Sequence, residues 1–591
     1  MIYQLIKYAV SHNLVVEPGF EKESARWAIQ LDNKGNYLGI LELGDTSAQR
    51  NPGQFFERCP KLPSNIMQGG GKSHFLIESA EVVVLAGIEK KNATQQAKVM
   101  SKNTYYRDLL NEAGDAVPEM RLCAAVLENE ETMQQIRNGL AEHNAKDTDK
   151  VTFAILGRTP TYLVEDELWY SWWREKRHSI IDDGEKKAKT TVSLQMRSFA
   201  DGALTTAKPT HDKINGLYGV GGSSMGSSLI SFDKEAFTSF GLEQSANAAM
   251  SVESEAAYRA ALNTLISKSV RVAGTRIAYW FKEKIQDDDD PIPFLQEPPE
   301  RQELAALAGI KSLLESLKQG QRPELANNIY YALTLAGNAG RVMVYDWIEG
   351  RFENLVENVV KWFDDLAIVD VATGDLLKPP RYENVITCVL PVRKPKQDYN
   401  DWIKPVSSFR ITFWKSALTS CQIPRNAFEK AVILARNIIF KLNPKDKEYL
   451  SWLGHWRIEM ALIKAYHIRK GDTFMQPYLN EDHPSAAYQC GRLMALLADL
   501  QYAALGDVGA GVIQRYYAAA STTPGLVLGR LVRLAQSHVG KLIKDNKNRA
   551  YWFDQQIATV HGKVKDFIPS TLSLSEQSLF ALGYYQQKAK Q

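Results

Sequence analysis

The sequence predicts an α+β protein with an N-terminal mixed α/β body, a helical middle region and a C-terminal helical bundle. Runs rich in β-branched and aromatic residues dominate up to residue 286. From residue 302 to residue 591, apolar residues recur with a helical period. Between these regions, 287–301 holds an acidic run and four prolines, which cannot continue a helix or donate to a ladder, so we predict a linker there.

Strands alternate with helices in the N-terminal body (1–286), and helices fill the middle region (302–475). The predicted strands are 25–31, 37–43, 81–85, 151–156 and 270–279, with helices such as 2–11 and 103–112 between them. In the middle region, the predicted helices are 304–317, 351–363, 425–441 and 449–467.

Capping signals define helices in the predicted C-terminal bundle (476–591). Thr523 and Pro524 are typical of an N-cap followed by proline at the first helical position. Ser573 and Glu576 have the spacing of a capping box for the last helix. With the apolar stripes between these signals, the region is predicted to form four or five helices.

The bundle is basic, whereas the rest of the chain is not. From Met494 to Gln591 eleven Lys and Arg stand against six Asp and Glu, a net charge of +5. The whole chain carries +3, so Met1 to Leu493 carries −2. A polyanion is therefore the natural partner of the bundle.

Four cations of the bundle share one predicted helix: Arg530, Arg533, Lys541 and Lys544. They alternate with leucine and valine at helical spacing, so one face is apolar and another is basic. We predict that they contact the DNA backbone. Cations that only solvate the outside of a bundle would give the same pattern.

Composition excludes several classes of protein. Residues that are 45% hydrophobic can bury several cores. No apolar run approaches the roughly 20 residues that span a bilayer, and the N-terminus has no signal-peptide pattern. The five cysteines are far apart, which favours reduced thiols over disulfides or a zinc site. We expect a soluble, cytoplasmic protein without a metal or another cofactor.

A glycine-rich loop is the first candidate site. Residues 68–73 read QGGGKS, but a phosphate-binding P-loop needs glycine where Ile66 stands, which argues against ATP hydrolysis. Glycines let backbone N–H groups approach phosphates, and a lysine or glutamine can reach base edges. The predicted DNA-motif residues are Gln68, Gly70, Gly71, Lys72 and Ser73. A surface loop without function is the alternative.

Two further motifs suggest chemistry. Gly222-x-Ser224-x-Gly226 fits a nucleophile elbow, but a glycine-rich loop precedes it and a predicted strand, 227–232, follows where a helix is required. Trp172, Trp173 and Arg174 mix aromatic rings with a cation, as surfaces that stack on nucleic acid do. An aromatic core with a solvated basic edge would explain these three residues equally well.

Several segments, in order along nearly the whole chain, resemble the large subunit of type I-C CRISPR Cascade complexes, the Csd-type large subunit. The C-terminal segments are AYQCGRL at 487–493, RYY at 515–517, AASTTP at 519–524, RLAQSH at 533–538 and LFALGYY at 579–585. The upstream segments are RWAIQLD at 26–32, LELGD at 41–45, WWR at 172–174, SSLISF at 227–232, LAGNAGR at 335–341 and ALIKAY at 461–466.

The resemblance implies a non-enzymatic DNA- and RNA-binding subunit of a ribonucleoprotein used in antiviral defence. Its implied partners are CRISPR RNA, double-stranded target DNA, a handle-binding subunit, a backbone subunit and a helicase–nuclease, with no membrane. The implied tasks are to recognise the protospacer-adjacent motif with an N-terminal loop, to help form the R-loop and to hold displaced DNA.

The resemblance further implies a small subunit made from the same gene. Its internal start is predicted at Met475 or Met494. The competing functional class is a hydrolase or an ATPase that uses Ser224 or Lys72.

Overall fold

The structure is a computed structural model that describes residues 1–15, 17–45, 51–62, 64–67, 70–187, 195–208, 210–238, 240–272, 274–296, 303–394, 396–508, 510–564 and 568–589. Two units make up the chain. The N-terminal unit comprises Met1–Gly216, Ser223–Ser267 and Gly340–Val342, and the C-terminal unit comprises Leu217–Gly222, Lys268–Ala339 and Met343–Gln591. Both contain strands and helices, so the predicted α+β class is confirmed.

The N-terminal unit carries eight of the described strands and eight of the described α-helices. Its strands are β1 (Phe20–Ala25), β2 (Trp27–Leu31), β3 (Tyr37–Glu42), β4 (Gln54–Pro60), β5 (Glu78–Ser79), β6 (Lys150–Ile155), β7 (Gln195–Arg197) and β8 (Leu204–Thr206). Its helices are α1 (Ile2–Ser11), α2 (Ser64–Met67), α3 (Ala80–Val83), α4 (Ala93–Ala113), α5 (Glu119–Glu128), α6 (Glu130–Glu142), α7 (Tyr170–Lys187) and α8 (Val252–Lys268). Short 3-10 turns cover Ile88–Lys90, Leu163–Glu165, Glu167–Trp169, Glu235–Phe237 and Gln244–Ala248.

A four-stranded sheet, in the order β3-β2-β6-β5, organises the N-terminal unit. β2 and β6 are parallel, with Ile29 opposite Phe153, and both side chains are buried. A parallel pair needs a long crossover connection, and helices α4, α5 and α6 lie within it. Two antiparallel pairs, β1 with β4 and β7 with β8, complete the strands.

Two of the predicted strands differ from the structure. The predicted strand 25–31 divides at Arg26 into β1 and β2, which pair in different sheets. The predicted strand 81–85 is largely the one-turn helix α3. Here the Asn103 side-chain amide donates to the carbonyls of Val82 and Val83 at 2.8 and 3.0 Å, so a distant helix overrides the strand propensity of the valines.

The C-terminal unit is mostly helical. Its strands are β9 (Val270–Val272), β10 (Thr275–Phe281), β11 (Ile329–Asn338) and β12 (Arg341–Arg351). Its α-helices are α9 (Pro291–Gln296), α10 (Glu303–Lys318), α11 (Pro323–Ala326), α12 (Phe352–Leu366), α13 (Tyr382–Thr387), α14 (Tyr399–Ile403), α15 (Arg410–Thr419), α16 (Arg425–Ile438), α17 (Tyr449–Arg469), α18 (Ala486–Leu505), α19 (Val512–Ala520), α20 (Pro524–Asp545), α21 (Lys547–Val564) and α22 (Leu574–Ala589). Its 3-10 turns are Tyr218–Val220, Asp287–Asp289, Lys404–Ser408 and Ile439–Lys441.

The described part of the predicted linker, 287–296, is packed against the unit rather than extended. Asp290 caps a helix by accepting from the Ile292 amide at 3.0 Å, and Ile292 and Leu295 are buried. Proline at the first position of α9 starts this helix and does not break it. The division between the two units falls after Ser267, upstream of the predicted boundary at 286.

A long β-hairpin, β11 with β12, lies inside the predicted helical middle region. Ala339 and Gly340, with φ of +47° and +81°, form the turn that reverses the chain. The hairpin joins β10 and β9 in the sheet order β12-β11-β10-β9. The apolar run of β11 is almost continuous, so its period alone does not distinguish a buried strand from a buried helix.

The C-terminal bundle consists of five helices, α18 to α22, in agreement with the predicted four or five. Helices α18 and α22 meet at two glycines. A Cβ atom on Gly491 would lie 1.9 Å from the carbonyl oxygen of Phe580, and one on Gly583 would lie 2.1 Å from that of Tyr488. Pro524 begins α20, and Ser573 and Glu576 form the predicted capping box of α22.

The bundle shares its core with the helix that precedes it. The Trp456 ring on α17 lies 4.8 Å from the Tyr585 ring on α22, and His467 and Ser578 are hydrogen-bonded at 2.7 Å. One apolar cluster runs without a break from the sheet of this unit to α22. The bundle is therefore a part of the C-terminal unit and not a separate globule beside it.

Candidate nucleic-acid interface

The glycine loop, residues 68–73, lies against helix α4 in the N-terminal unit. Gln68 and Gly69 lie outside the described residues. Gly70 has φ of +85°, and a Cβ atom there would lie 2.9 Å from Cε of Lys98. A Cβ atom on Gly71 would lie 3.1 Å from Oγ of Ser101. The glycines thus let the loop backbone approach the helix closely, a requirement that the sequence motif did not reveal.

The two polar residues that end the glycine loop have different environments. Lys72 is partly exposed, and its Nζ lies 5.9 Å from the centre of the Tyr105 ring on α4. Ser73 is completely buried, and its hydroxyl has no hydrogen-bond partner among the described residues. In this conformation Ser73 cannot contact DNA as predicted. The chain turns inward at this point because the next apolar residue, Phe75, enters the core.

Phe75 is anchored by the tryptophan-rich segment that was a candidate stacking surface. Its ring lies 5.9, 5.3 and 5.8 Å from the rings of Trp169, Trp172 and Trp173. Trp173 is completely buried and donates its Nε1–H to the carbonyl of Gly19 at 2.7 Å. It therefore cannot stack on a base.

The other two members of this segment are also engaged within the unit. Trp172 is partly buried against Phe75, and Arg174 forms an ion pair with Glu17. The alternative interpretation, an aromatic core with a basic edge, describes the segment. Its consequence for the interface is indirect, because the cluster fixes the C-terminal end of the glycine loop.

Two lysines that sequence analysis missed lie beside the glycine loop. Lys98 is exposed and Lys102 partly exposed on α4, and neither forms an ion pair within the described residues. The predicted helix began only at residue 103, so Lys98 and Lys102 fell outside it. Their spacing with Ser101 and Tyr105, three and four residues apart, was the available signal for one helix face.

The next residue, His74, reports the positive field beneath the loop. Burial, and then the nearby cations Lys61 and Lys150, lower the pKa of His74 to about 3. Its backbone N–H donates to the Glu78 carboxylate at 3.0 Å. The imidazole is therefore neutral near pH 7, and the loop rests on a rigid, uncharged residue within a basic neighbourhood.

The glycines before Ser224 serve packing of the backbone. A Cβ atom on Gly337 of β11 would lie 2.1 Å from the Cα atom of Gly222, and Gly221 has φ of +88°. Ser224 is exposed, and no hydrogen bond joins it to a histidine in the described chain. The predicted strand 227–232 is reduced to isolated bridges of Ser227 and Ser228. The strand–turn–helix setting of a nucleophile elbow is thus missing from this described stretch.

The four predicted backbone-binding cations line one face of helix α20. Arg530, Arg533, Lys541 and Lys544 are all exposed, and none forms an ion pair with a described residue. Their spacing of three, eight and three residues places them opposite the buried stripe, along about 21 Å of helix. The buried stripe consists of Leu528, Leu531, Ala535, Val539 and Leu542. We call the four cations the basic face of α20.

Comparison with protein families shows a match over residues 2–591 to the family described as CRISPR-associated protein (Cas_Csd1). The chain belongs to the Csd1 family. The predicted resemblance to the large subunit of type I-C Cascade is confirmed. No curated protein matches the chain.

As a member of the Csd1 family, the protein is a CRISPR-associated, Cascade-type subunit, and it works with CRISPR RNA and other Cascade components. Within the described chain, no helix combines the length and apolar character needed to cross a bilayer. The two surfaces built above, the glycine loop with α4 and the basic face of α20, are thus surfaces of a protein from a CRISPR family.

Proposed function

We propose that this Csd1-family protein is a non-catalytic subunit that reads the protospacer-adjacent motif in double-stranded DNA. The observation that carries the proposal is the glycine loop seated on α4, with Lys72, Lys98 and Lys102 around it. Glycine N–H groups can approach phosphates, and Lys72 with Gln68 can reach base edges. Ser73 is left out of this surface because it is buried.

The remaining tasks divide between the RNA and the protein. Base pairing with CRISPR RNA selects the target sequence, and the protein checks only the short flanking motif and helps to open the duplex. The basic face of α20 holds the displaced DNA by its phosphates, without reading bases. The assembled complex then presents a surface to the helicase–nuclease that cuts.

Binding of motif-bearing DNA by the assembled complex tests the motif-reading role. Lys72→Ala and Gln68→Ala are expected to weaken binding to duplex with the correct motif, and to weaken binding to a pre-opened bubble less. Lys34→Ala, an exposed lysine on another turn of the same unit, is the matched control. Equal affinity of parent and both loop variants for the motif-bearing duplex would contradict the proposal.

The non-catalytic part of the proposal has its own test. Purified protein is expected to hydrolyse no DNA, ATP or ester, because Ser224 and Lys72 lack the partners that catalysis needs. Steady turnover that disappears in Ser224→Ala or Lys72→Ala would favour the hydrolase or ATPase class.

We also propose a separate small subunit, translated from an internal start within the same gene. Met475 is the start that the packing supports, because it precedes α18 and leaves that helix whole. Met494 lies inside α18 and is buried, so a start there would remove Tyr488 and Gly491, which contact α22. Mass spectrometry of the complex made from the native gene tests this. A complex without any tail-only polypeptide would contradict it.

A further inference from the structure

Two aromatic side chains are exposed at the start of α21, next to the basic face of α20. Tyr551 is 49% exposed and Trp552 is 39% exposed. The Trp552 ring meets the buried Phe553 ring edge to face at 4.9 Å, which fixes its orientation. Lys547 places its Nζ 5.7 Å from the centre of the Tyr551 ring. Flat rings are thus held at the surface beside a cation.

The connection between α20 and α21 brings these rings to one end of the basic face. α20 ends at Asp545 and α21 begins at Lys547, so the two helices form a tight hairpin. The Gln536 amide donates to the Asp554 carboxylate at 3.3 Å, which sets the helices side by side. Tyr551 and Trp552 therefore lie near the C-terminal end of α20, where Lys541 and Lys544 stand.

The charge of this region is strongly one-sided. Residues 512–564 contain eight Lys and Arg and only two Asp and Glu. One of the two acids, Asp554, accepts a hydrogen bond from Gln536. Of the eight cations, Lys563 is paired with Asp482. A ligand that covers this surface must carry negative charge along its length and present flat groups to the rings.

We infer that the basic face of α20 and the rings of Tyr551 and Trp552 form one binding surface for single-stranded nucleic acid. Phosphates lie along α20, and unpaired bases stack on the two rings. A base in a duplex has its faces covered by its neighbours, so the rings add affinity only for an unpaired strand. This inference rests on the proposed role of α20 in holding DNA, and it adds the selectivity for the unpaired strand.

A protein partner is the other common reason for exposed aromatic residues. Such a partner would seat an apolar surface on the rings. Here the apolar rings are flanked by Lys547, Lys544 and Lys541, whose desolvation under an apolar surface would be costly. A polyanion with aromatic bases satisfies the rings and the cations together.

Fluorescence anisotropy of the full-length chain with a labelled 20-nucleotide oligo(dT) and with a 20-base-pair duplex tests the inference. Tyr551→Ala combined with Trp552→Ala is expected to weaken oligo(dT) binding about tenfold to thirtyfold, with duplex binding nearly unchanged. The dependence of affinity on salt should stay the same, because the phosphate contacts remain. Tyr551→Phe with Trp552→Phe should retain most of the affinity, since the rings that stack are kept.

Tyr502→Ala, at an exposed tyrosine on α18 in the same unit, is the matched control and should have no effect. Equal loss for oligo(dT) and duplex, or no loss for either, would overturn the inference while leaving the holding of DNA by α20 intact. A parent protein that binds neither DNA would instead contradict the proposed function. A double-alanine variant that is misfolded by circular dichroism leaves the decision to the phenylalanine pair. That pair must then keep its preference for oligo(dT), or the inference fails.

Discussion

The glycine loop and the basic face of α20 both offer cations to DNA, but the cations come together in different ways. At the loop, Lys72 and Lys98 are distant in sequence and meet only because two glycines let the backbone settle on α4. On α20, four cations within 15 residues share one face of one helix. The first surface depends on tertiary contacts, and the second depends on helical periodicity alone.

This difference favours different kinds of recognition. A compact tip with few cations and a rigid base, such as Phe75 and His74 provide, suits contact with particular base edges. A straight row of exposed cations suits a phosphate backbone of any sequence, and its affinity must fall with salt. Each prediction below separates the two surfaces, beginning with the largest effect.

Gly491→Leu should break the scaffold behind α20. A Cβ atom at this position would meet backbone atoms of Phe580 in α22, which cannot move as a side chain can. We expect a loss of about 4 kcal/mol or more in the free energy of unfolding of the C-terminal unit. Gly529→Leu, on α20 where a Cβ atom meets nothing within 4 Å, is the control. Equal melting curves for the two variants would contradict the close helix contact.

Reversal of charge at Arg530, Arg533, Lys541 and Lys544 should remove the salt-sensitive binding. We expect a loss of about two to three orders of magnitude in DNA affinity at 0.1 M salt, and a salt dependence reduced by about four ions. Discrimination between correct and scrambled motifs should persist, because the loop is untouched.

The control for this variant reverses four exposed cations of the same unit that already form ion pairs: Lys311, Lys318, Arg425 and Lys445. If the control weakens binding as much as the variant, net charge and not the basic face of α20 holds the DNA.

Lys72→Ala should show the opposite pattern. We expect a loss of about 1–3 kcal/mol in the binding of duplex with the correct motif, and almost none with a scrambled motif. Lys98→Ala should weaken both duplexes alike, because an exposed lysine beside a loop contacts phosphate and not bases. Titrations with the two duplexes distinguish these outcomes, and a reversed pattern would exchange the assigned roles.

Acid should weaken the base of the glycine loop. The pKa of His74 is about 3 in the folded protein, below the usual 6.5. The unfolded chain therefore binds this proton more readily, and stability is lost as the pH falls from about 6.5 towards 3.

At pH 5 the expected loss in the free energy of unfolding from His74 is about 2 kcal/mol. His74→Gln should flatten the pH dependence of the free energy of unfolding of the N-terminal unit. An unchanged profile would mean that the imidazole is not buried as described.

Ser73→Ala should have the smallest effect. The buried hydroxyl has no partner among the described residues, so its removal is expected to leave stability unchanged or to raise it by about 1 kcal/mol. DNA binding should not change, because the side chain does not reach the surface. A clear loss of motif binding would show that the loop opens at Ser73 when DNA is bound.

The sequence by itself determined the α+β class, the helices of the C-terminal bundle and the basic face of α20. Each depends on local signals: proline after Thr523, the capping pair Ser573 and Glu576, and cations spaced at the helical period. Such signals act within a few residues of the chain, so they can be read without knowing the fold.

Only the tertiary structure decided what surrounds the glycine loop and which members of the predicted sites are accessible. The burial of Ser73 and Trp173, the helix at 80–83 and the contact of Lys98 with Gly70 depend on residues far away in the chain. A composition of glycine, tryptophan and lysine is the same for a surface and for its anchor. Burial separates the two, because apolar rings leave water and charged groups remain in it.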